Sequence, residues 1–144
     1  MITITEGVRK LTIDIEGYQF PEAKPEAESY DYDANWLNVA VSYTDGSARR
    51  RAVDPCLLAT EIDEVIDAFE RVRAKGGAYI SDFLEPYLQM AFLRDGERVG
   101  VVAKFVYDTS DVWKDWTVTQ FLDPEEAEVF ARAWQEMKVR FPSR

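Results

Sequence analysis

The sequence contains no histidine and only one cysteine among its 144 residues. Histidine is the commonest general base near neutral pH, so its absence excludes Ser–His and Cys–His nucleophile pairs and nearly all zinc sites with imidazole ligands. A lone Cys56 excludes four-cysteine zinc sites and an intramolecular disulfide, in agreement with a reducing compartment. We therefore expect no catalytic residues, no metal and no cofactor.

Long apolar runs are also missing. No uncharged apolar stretch of 18 residues occurs, and the N-terminal residues lack the basic and apolar regions of a secretory signal. There is no internal repeat, no Gly/Ser linker and no low-complexity tract at which to divide the chain. These features predict a single domain over residues 1–144, a cytoplasmic location and no membrane partner.

Positive charge is scarce, with 17 basic residues against 27 acidic ones and a net charge of −10. Such a field disfavours binding to nucleic-acid phosphates and to anionic membranes, and favours basic partners. The excess is concentrated in two stretches. Residues 14–35 hold seven acidic residues and one lysine, and residues 111–128 hold six acidic residues and one lysine.

Hydrophobic periodicity predicts an α+β fold in which a mostly antiparallel sheet packs two helices on one face. Alternating apolar residues predict strands near residues 11–15 and 37–43, and an Asp-Gly turn after the second strand predicts a hairpin back to residues 49–53. Residues 21–35, with two prolines, are predicted to form a surface loop. Further strands are predicted over residues 78–84, 87–93, 99–107 and 116–122, the last with an ambiguous facing.

Two helices have clear boundary signals. The first is expected to begin with Thr60 as its cap and to end at Gly76-Gly77, and the second to open at Asp123-Pro124 and end by residue 141. The acidic residues of the first helix are expected to form a solvated face; they are Glu61, Asp63, Glu64 and Asp67. Paired carboxylates could also perform acid–base chemistry, but only where burial or a neighbour separates their pKa values.

Aromatic residues are interleaved with the acidic ones, which is the composition of interface anchors with a charged rim. The first candidate patch contains Asp31, Asp33 and Trp36, and the second contains Asp111, Trp113, Asp115 and Trp116. The Asp31-x-Asp33-x-Asn35 spacing also suggests a calcium loop. That interpretation fails because its sixth and twelfth positions are Trp36 and Ser42, where glycine and glutamate are required.

Several segments together resemble the WapI-type immunity proteins, small bacterial proteins that accompany polymorphic contact-dependent toxins. The resemblance spans most of the chain in order, and it rests on residues 17–21 (Gly-Tyr-Gln-Phe-Pro), 32–37 (Tyr-Asp-Ala-Asn-Trp-Leu), 54–61, 83–88 (Phe-Leu-Glu-Pro-x-Leu) and 141–144 (Phe-Pro-Ser-Arg).

The resemblance implies a protein that binds and blocks a co-produced toxin domain and performs no chemistry. Many such toxins are nucleases with basic grooves, which an acidic, aromatic-containing surface could fill. A structural role for the motifs stays open as the alternative, with Asp33 and Asn35 closing a turn, Trp36 packing on the core and Glu85-Pro86 marking a bend. Two other functions stay open: a small-ligand binding or regulatory module, and a hydrolase that uses two carboxylates.

Overall fold

Eight strands form two four-stranded antiparallel sheets in the computed structural model, which describes residues 1–24 and 31–144. The first sheet has the order β1-β2-β3-β4 and contains β1 (Ile2–Glu6), β2 (Arg9–Tyr18), β3 (Trp36–Thr44) and β4 (Arg49–Leu58). The second has the order β5-β6-β7-β8 and contains β5 (Ala78–Ile80), β6 (Leu88–Asp95), β7 (Arg98–Asp108) and β8 (Lys114–Leu122). The helices are α1 (Tyr32–Asn35), α2 (Ala59–Lys75) and α3 (Pro124–Arg140).

Each strand pairs with its sequence neighbour within its own sheet. Short turns join β1 to β2, β3 to β4 and β6 to β7, whereas residues 19–35, which include α1, lie between the paired strands β2 and β3. Gly96 takes a φ of 60° in the turn that joins β6 to β7, a left-handed conformation that glycine adopts without strain. Inward-facing aliphatic residues of the first sheet meet those of the second and the buried faces of α2 and α3 in one hydrophobic core. The predicted α+β class is confirmed.

The free edges of the two sheets meet where β1 lies beside β8. The backbone N–H of Thr5 donates to Gln120 Oε1 at 2.9 Å, and the N–H of Thr119 donates to Glu6 Oε1 at 3.1 Å. Arg9 Nη1 donates to the carbonyl of Thr117 at 3.1 Å. Side chains therefore satisfy backbone groups that an open sheet edge would leave unpaired.

The start of α2 differs from the prediction. The helix begins at Ala59 with Leu58 as its cap, so Thr60 already lies in the first turn. The carboxylate of Glu61 accepts the Leu58 backbone N–H at 2.9 Å, and this bond replaces the predicted threonine cap. At α3 the prediction holds, because Asp123 caps the helix and its carboxylate accepts the Glu126 N–H at 2.8 Å.

Two further segments differ from expectation. The strand predicted over residues 78–84 ends at Ile80, because the Ser81 hydroxyl accepts the Met90 N–H at 2.9 Å and the chain then turns. Part of the predicted loop 21–35 forms α1, in which Ala34 and Asn35 are buried, and residues 25–30 lie outside the described residues. In β8 the ambiguous facing is resolved, since Trp116 and Val118 point inward. None of the helices in the described residues has both the length and the apolar character needed to cross a membrane.

Candidate functional site

The first candidate patch surrounds α1. Asp31 is the N-cap of this helix, and its carboxylate accepts the Ala34 N–H at 3.3 Å. Asp33 is exposed, whereas Trp36 is half-buried at the start of β3 and its carbonyl accepts the Gln19 N–H at 2.8 Å. Asp31 thus has a structural role as the helix cap, whereas Asp33 is the more exposed of the two carboxylates.

Asn35, between these residues, is fully buried and holds the C-terminal segment. Its amide Nδ2 donates to the carbonyls of Asp31 at 2.7 Å and Arg144 at 3.0 Å, and its Oδ1 accepts the Arg144 N–H at 2.7 Å. The Ser143 hydroxyl approaches the same oxygen at 3.4 Å. A side chain with both donors and an acceptor fits this position, which agrees with the structural interpretation of the motif.

Arg144 completes the arrangement from the other side. Its guanidinium donates to the carbonyls of Phe20, Pro21 and Ala34 and lies 3.8 Å from the centre of the Tyr18 ring. We call Tyr18, Asn35 and residues 141–144 the tail clasp. It unites three segments of the family resemblance, of which residues 141–144 lie more than 100 residues along the chain from the other two.

Glu61 unites the two remaining segments. Its second carboxylate oxygen accepts the Leu84 N–H at 2.8 Å, so one side chain ties the start of α2 to the loop before β6. The side chain is 8% exposed, and the predicted solvated position of Glu61 is therefore wrong. Burial raises its pKa from the usual 4.5, opposed by the two backbone N–H bonds and assisted by the nearby Glu64 and Glu85 carboxylates.

The Cys56 thiol near Glu61 is not an activated nucleophile, and the Glu61 carboxylate is not free. Burial raises the pKa of the Cys56 thiol, with help from the Asp54 charge, so the thiol stays protonated at neutral pH. Burial also raises the pKa of Asp54, assisted by Glu85. Both oxygens of Glu61 are engaged by backbone N–H groups, which is the signature of a structural carboxylate.

The second candidate patch lies at the connection between β7 and β8. Trp113 is 53% exposed, and its ring contacts that of Tyr87 with centroids 5.8 Å apart. Asp111 is exposed, while Asp115 lies 4.0 Å from Lys104 and Asp108 lies 3.7 Å from Lys114. Two lysines therefore offset part of the negative charge, and Trp113 is the most prominent side chain of the patch.

Trp116, also a candidate, is only 6% exposed. Its indole stacks on the rings of Tyr43 and Tyr107, at centroid distances of 5.6 Å and 4.7 Å. Trp116 thus contributes packing between the two sheets and supports the connection from beneath. It offers a partner little surface.

The structure does not bring the two patches together. Tyr43 contacts Trp116 of the second patch, and it lies seven residues along β3 from Trp36 of the first. At roughly 3.3 Å per residue in a strand, this separation is about 23 Å. Strand β8 likewise separates Asp111 and Asp115 from the acidic residues at the start of α3, so residues 111–128 do not form one acidic surface.

A surface that the sequence analysis missed covers the outer side of the second sheet. Ile80 is 76% exposed, Leu93 53% and Phe121 43%. The strand register places them with smaller residues of the same side, and we call this set the apolar face: Ala78, Ile80, Ala91, Leu93, Val102 and Phe121. The available signal was the apolar run of residues 90–93, which places apolar residues on both sides of the middle of β6.

An open groove of about 400 Å³ lies between β1, β8 and the start of α3. Its lining is largely apolar, with Glu125 and Glu126 at the rim. The Glu126 carboxylate accepts the Asp123 N–H at 3.2 Å and the Gln120 amide at 2.9 Å, so it stabilises the helix start. Within residues 1–24 and 31–144, no three acidic or thiol side chains are placed to hold a metal ion.

Two solved structures of plant proteins are similar to this chain. The crystal structure of WHY3 from Arabidopsis thaliana superimposes with a TM-score of 0.50 at 15% identity, over 96% of this chain and 86% of that one. The structure of the plant transcriptional regulator PBF-2 gives a TM-score of 0.49 at 15% identity, over 94% of this chain and 79% of that one. At such identity the first likeness shows the fold alone.

Sequence comparison identifies the family. No curated protein matches the chain at a significant level. The model of the immunity protein WapI-like family matches residues 1–142, and the chain therefore belongs to that family. The resemblance carried by the tail clasp and by the segments around Glu61 is confirmed.

Proposed function

We propose that this chain is an immunity protein that binds a cognate toxin domain and blocks its activity without catalysing a reaction. Membership of the WapI-like immunity family carries the proposal. The chemistry of the described residues supports it, because the buried Cys56 thiol is protonated and Glu61 is occupied by backbone N–H groups. Such a protein acts through the shape and charge of its surface.

The partner is a basic protein domain. A net charge of −10 raises the rate of encounter with a positively charged surface and slows encounter with anionic ones. Nucleic acid is not a partner in this proposal. Of the two candidate patches, the one containing Asp111, Trp113 and Asp115 has the larger exposed aromatic side chain, so we place the principal contact there.

Co-expression tests the function. The probe is the C-terminal toxin domain of a large secreted protein, to be sought first in the gene beside this one. Cells that express this domain are expected to grow normally when the chain is co-expressed, and to stop growing when an unrelated acidic protein replaces it. Persistent toxicity in the presence of folded chain would contradict the proposal.

Replacing Trp113 with serine is expected to weaken binding of the same toxin domain by about 30-fold, the usual loss for a central aromatic anchor. Isothermal titration calorimetry measures the change. Val139→Ser is the matched control, because Val139 is exposed on α3 and far along the chain from the patch. Equal affinity of the Trp113→Ser variant and the wild type would show that Trp113 does not contribute to binding the toxin domain.

Salt dependence tests the role of charge. The association rate is expected to fall at least tenfold between 50 mM and 500 mM salt, because the Debye length shrinks from above about 10 Å to a few ångströms. Stopped-flow measurement of the intrinsic tryptophan fluorescence follows the encounter. An association rate that does not change with salt would contradict a basic partner, even if binding persists.

A further inference from the structure

The apolar face forms two rows on the second sheet, one across all four strands and one across β5, β6 and β7 that ends at Thr119 of β8. In one row Ile80 pairs with Ala91, which pairs with Val102; in the other Ala78 pairs with Leu93. The second row continues through Gly100 to Phe121. A Cβ atom on Gly100 would lie 2.9 Å from the Phe121 ring, so the ring rests on the bare backbone there. The result is a low, continuous apolar surface.

The outer side of the first sheet has a different composition, although both sheets have four strands. The register aligns Thr3, Thr12, Ser42 and Arg51 in one row of that side. Solvent therefore meets hydroxyl and charged groups on the first sheet. An antiparallel sheet with one side on the core normally has a polar outer side, and only the second sheet departs from this pattern.

Charged residues surround the apolar face. The Arg98 guanidinium lies 5.3 Å from the centre of the Phe121 ring and 3.5 Å from Asp95. At the opposite end, Lys104 and Asp115 form a pair at 4.0 Å beside the connection that carries Trp113. An apolar centre within a charged rim is the anatomy of a protein–protein interface, and exposed apolar patches of this kind mark interaction sites.

We propose that the apolar face, together with the adjoining Trp113 patch, forms the centre of the surface that binds the toxin domain. This inference rests on the proposed function and adds the location of the contact. The net charge favours a basic domain over a second copy of this chain as the protein that covers the apolar face. Two copies with net charge −10 repel each other, whereas a basic domain is attracted. The partner therefore presents an apolar protrusion surrounded by basic residues.

The test combines Ile80→Thr, Leu93→Thr and Phe121→Thr in one variant. Threonine keeps the preference for extended backbone and removes most of the exposed apolar surface. The probe is the same toxin domain, titrated by calorimetry against the full chain. We expect at least 100-fold weaker binding, with a melting temperature within about 3 °C of the wild type because the replaced side chains are exposed.

Val53→Thr is the matched control. Val53 is also a strand residue on an outer side, and its exposure of 43% equals that of Phe121, but it belongs to the first sheet. Its affinity for the toxin domain is expected to stay within twofold of the wild type. Hydrogen exchange of the wild-type complex gives an independent readout, with slowed exchange expected in residues 78–80, 91–93, 100–102 and 119–121.

The outcomes distinguish a failure of this inference from a failure of the proposed immunity function. Wild-type affinity in the triple variant, or unchanged exchange in those four segments, overturns the location and leaves the immunity function intact. A wild-type chain that neither binds nor protects against the toxin domain overturns both. A dimer detected by sedimentation equilibrium and dissociated by the triple variant overturns the toxin domain as occupant, since a second copy would then cover the apolar face.

Discussion

Replacing Asn35 with alanine is expected to lower the free energy of unfolding by about 3 kcal/mol. The substitution removes the amide donors to Asp31 and Arg144 and the acceptor of the Arg144 N–H, all in a fully buried position. A buried polar group left without a partner costs roughly 1–3 kcal/mol, and alanine leaves several such groups. Urea unfolding followed by circular dichroism measures the loss, and the melting temperature is expected to fall by about 10 °C.

Two further variants identify the tail clasp as the cause. Ser143→Ala removes only the long contact to Asn35 Oδ1, so its free energy of unfolding is expected to stay within about 0.5 kcal/mol of the wild type. Deleting residues 143–144 removes the partners of Asn35 in the C-terminal segment and leaves its bond to the Asp31 carbonyl. In that background Asn35→Ala is expected to cost at least 1 kcal/mol less than in the full chain. Additive losses would show that Asn35 acts only within α1.

The sequence was sufficient to predict elements whose signals are local. Alternation of apolar residues located β2 and β3, and Asp123-Pro124 located the start of α3, because a strand's pleat and a helix cap depend on neighbouring residues. The prediction for Thr60 failed since the competing group, the Glu61 carboxylate, reaches both Leu58 and the distant Leu84. Local propensity does not report such a bond.

The candidate site was less predictable because its residues are joined by pairing across the fold. Trp116 is a residue type that often anchors interfaces, but Tyr43 of the other sheet covers its ring. The apolar face depends on the register that aligns Ile80, Leu93 and Phe121 on one side of three strands. Periodicity within each segment does not determine that register. The apolar face is therefore visible only in the tertiary structure.

Glu61→Ala is expected to lower the free energy of unfolding by about 2–3 kcal/mol. It leaves the Leu58 and Leu84 N–H groups without their acceptor, while the relief of a buried carboxylate offsets part of the loss. Glu64→Ala is the matched control, because Glu64 lies on the same helix and its exposed carboxylate accepts the Tyr79 hydroxyl and not a backbone N–H of the described loop before β6. Its expected loss is below about 1 kcal/mol. Equal losses in the two variants would contradict a structural role for Glu61.

The pH dependence of Glu61→Gln isolates the charge of the same residue. Because the pKa of Glu61 is raised above 4.5 on folding, the folded state binds more protons than the unfolded state between pH 4.5 and that raised value. The free energy of unfolding therefore falls as the pH rises through this window, and Asp54, whose pKa is also raised, acts in the same direction. Glutamine cannot titrate, so denaturant unfolding at pH 5, 6 and 7 is expected to show a shallower decline in the variant than in the wild type. Parallel profiles would show that the Glu61 carboxylate is equally acidic in both states.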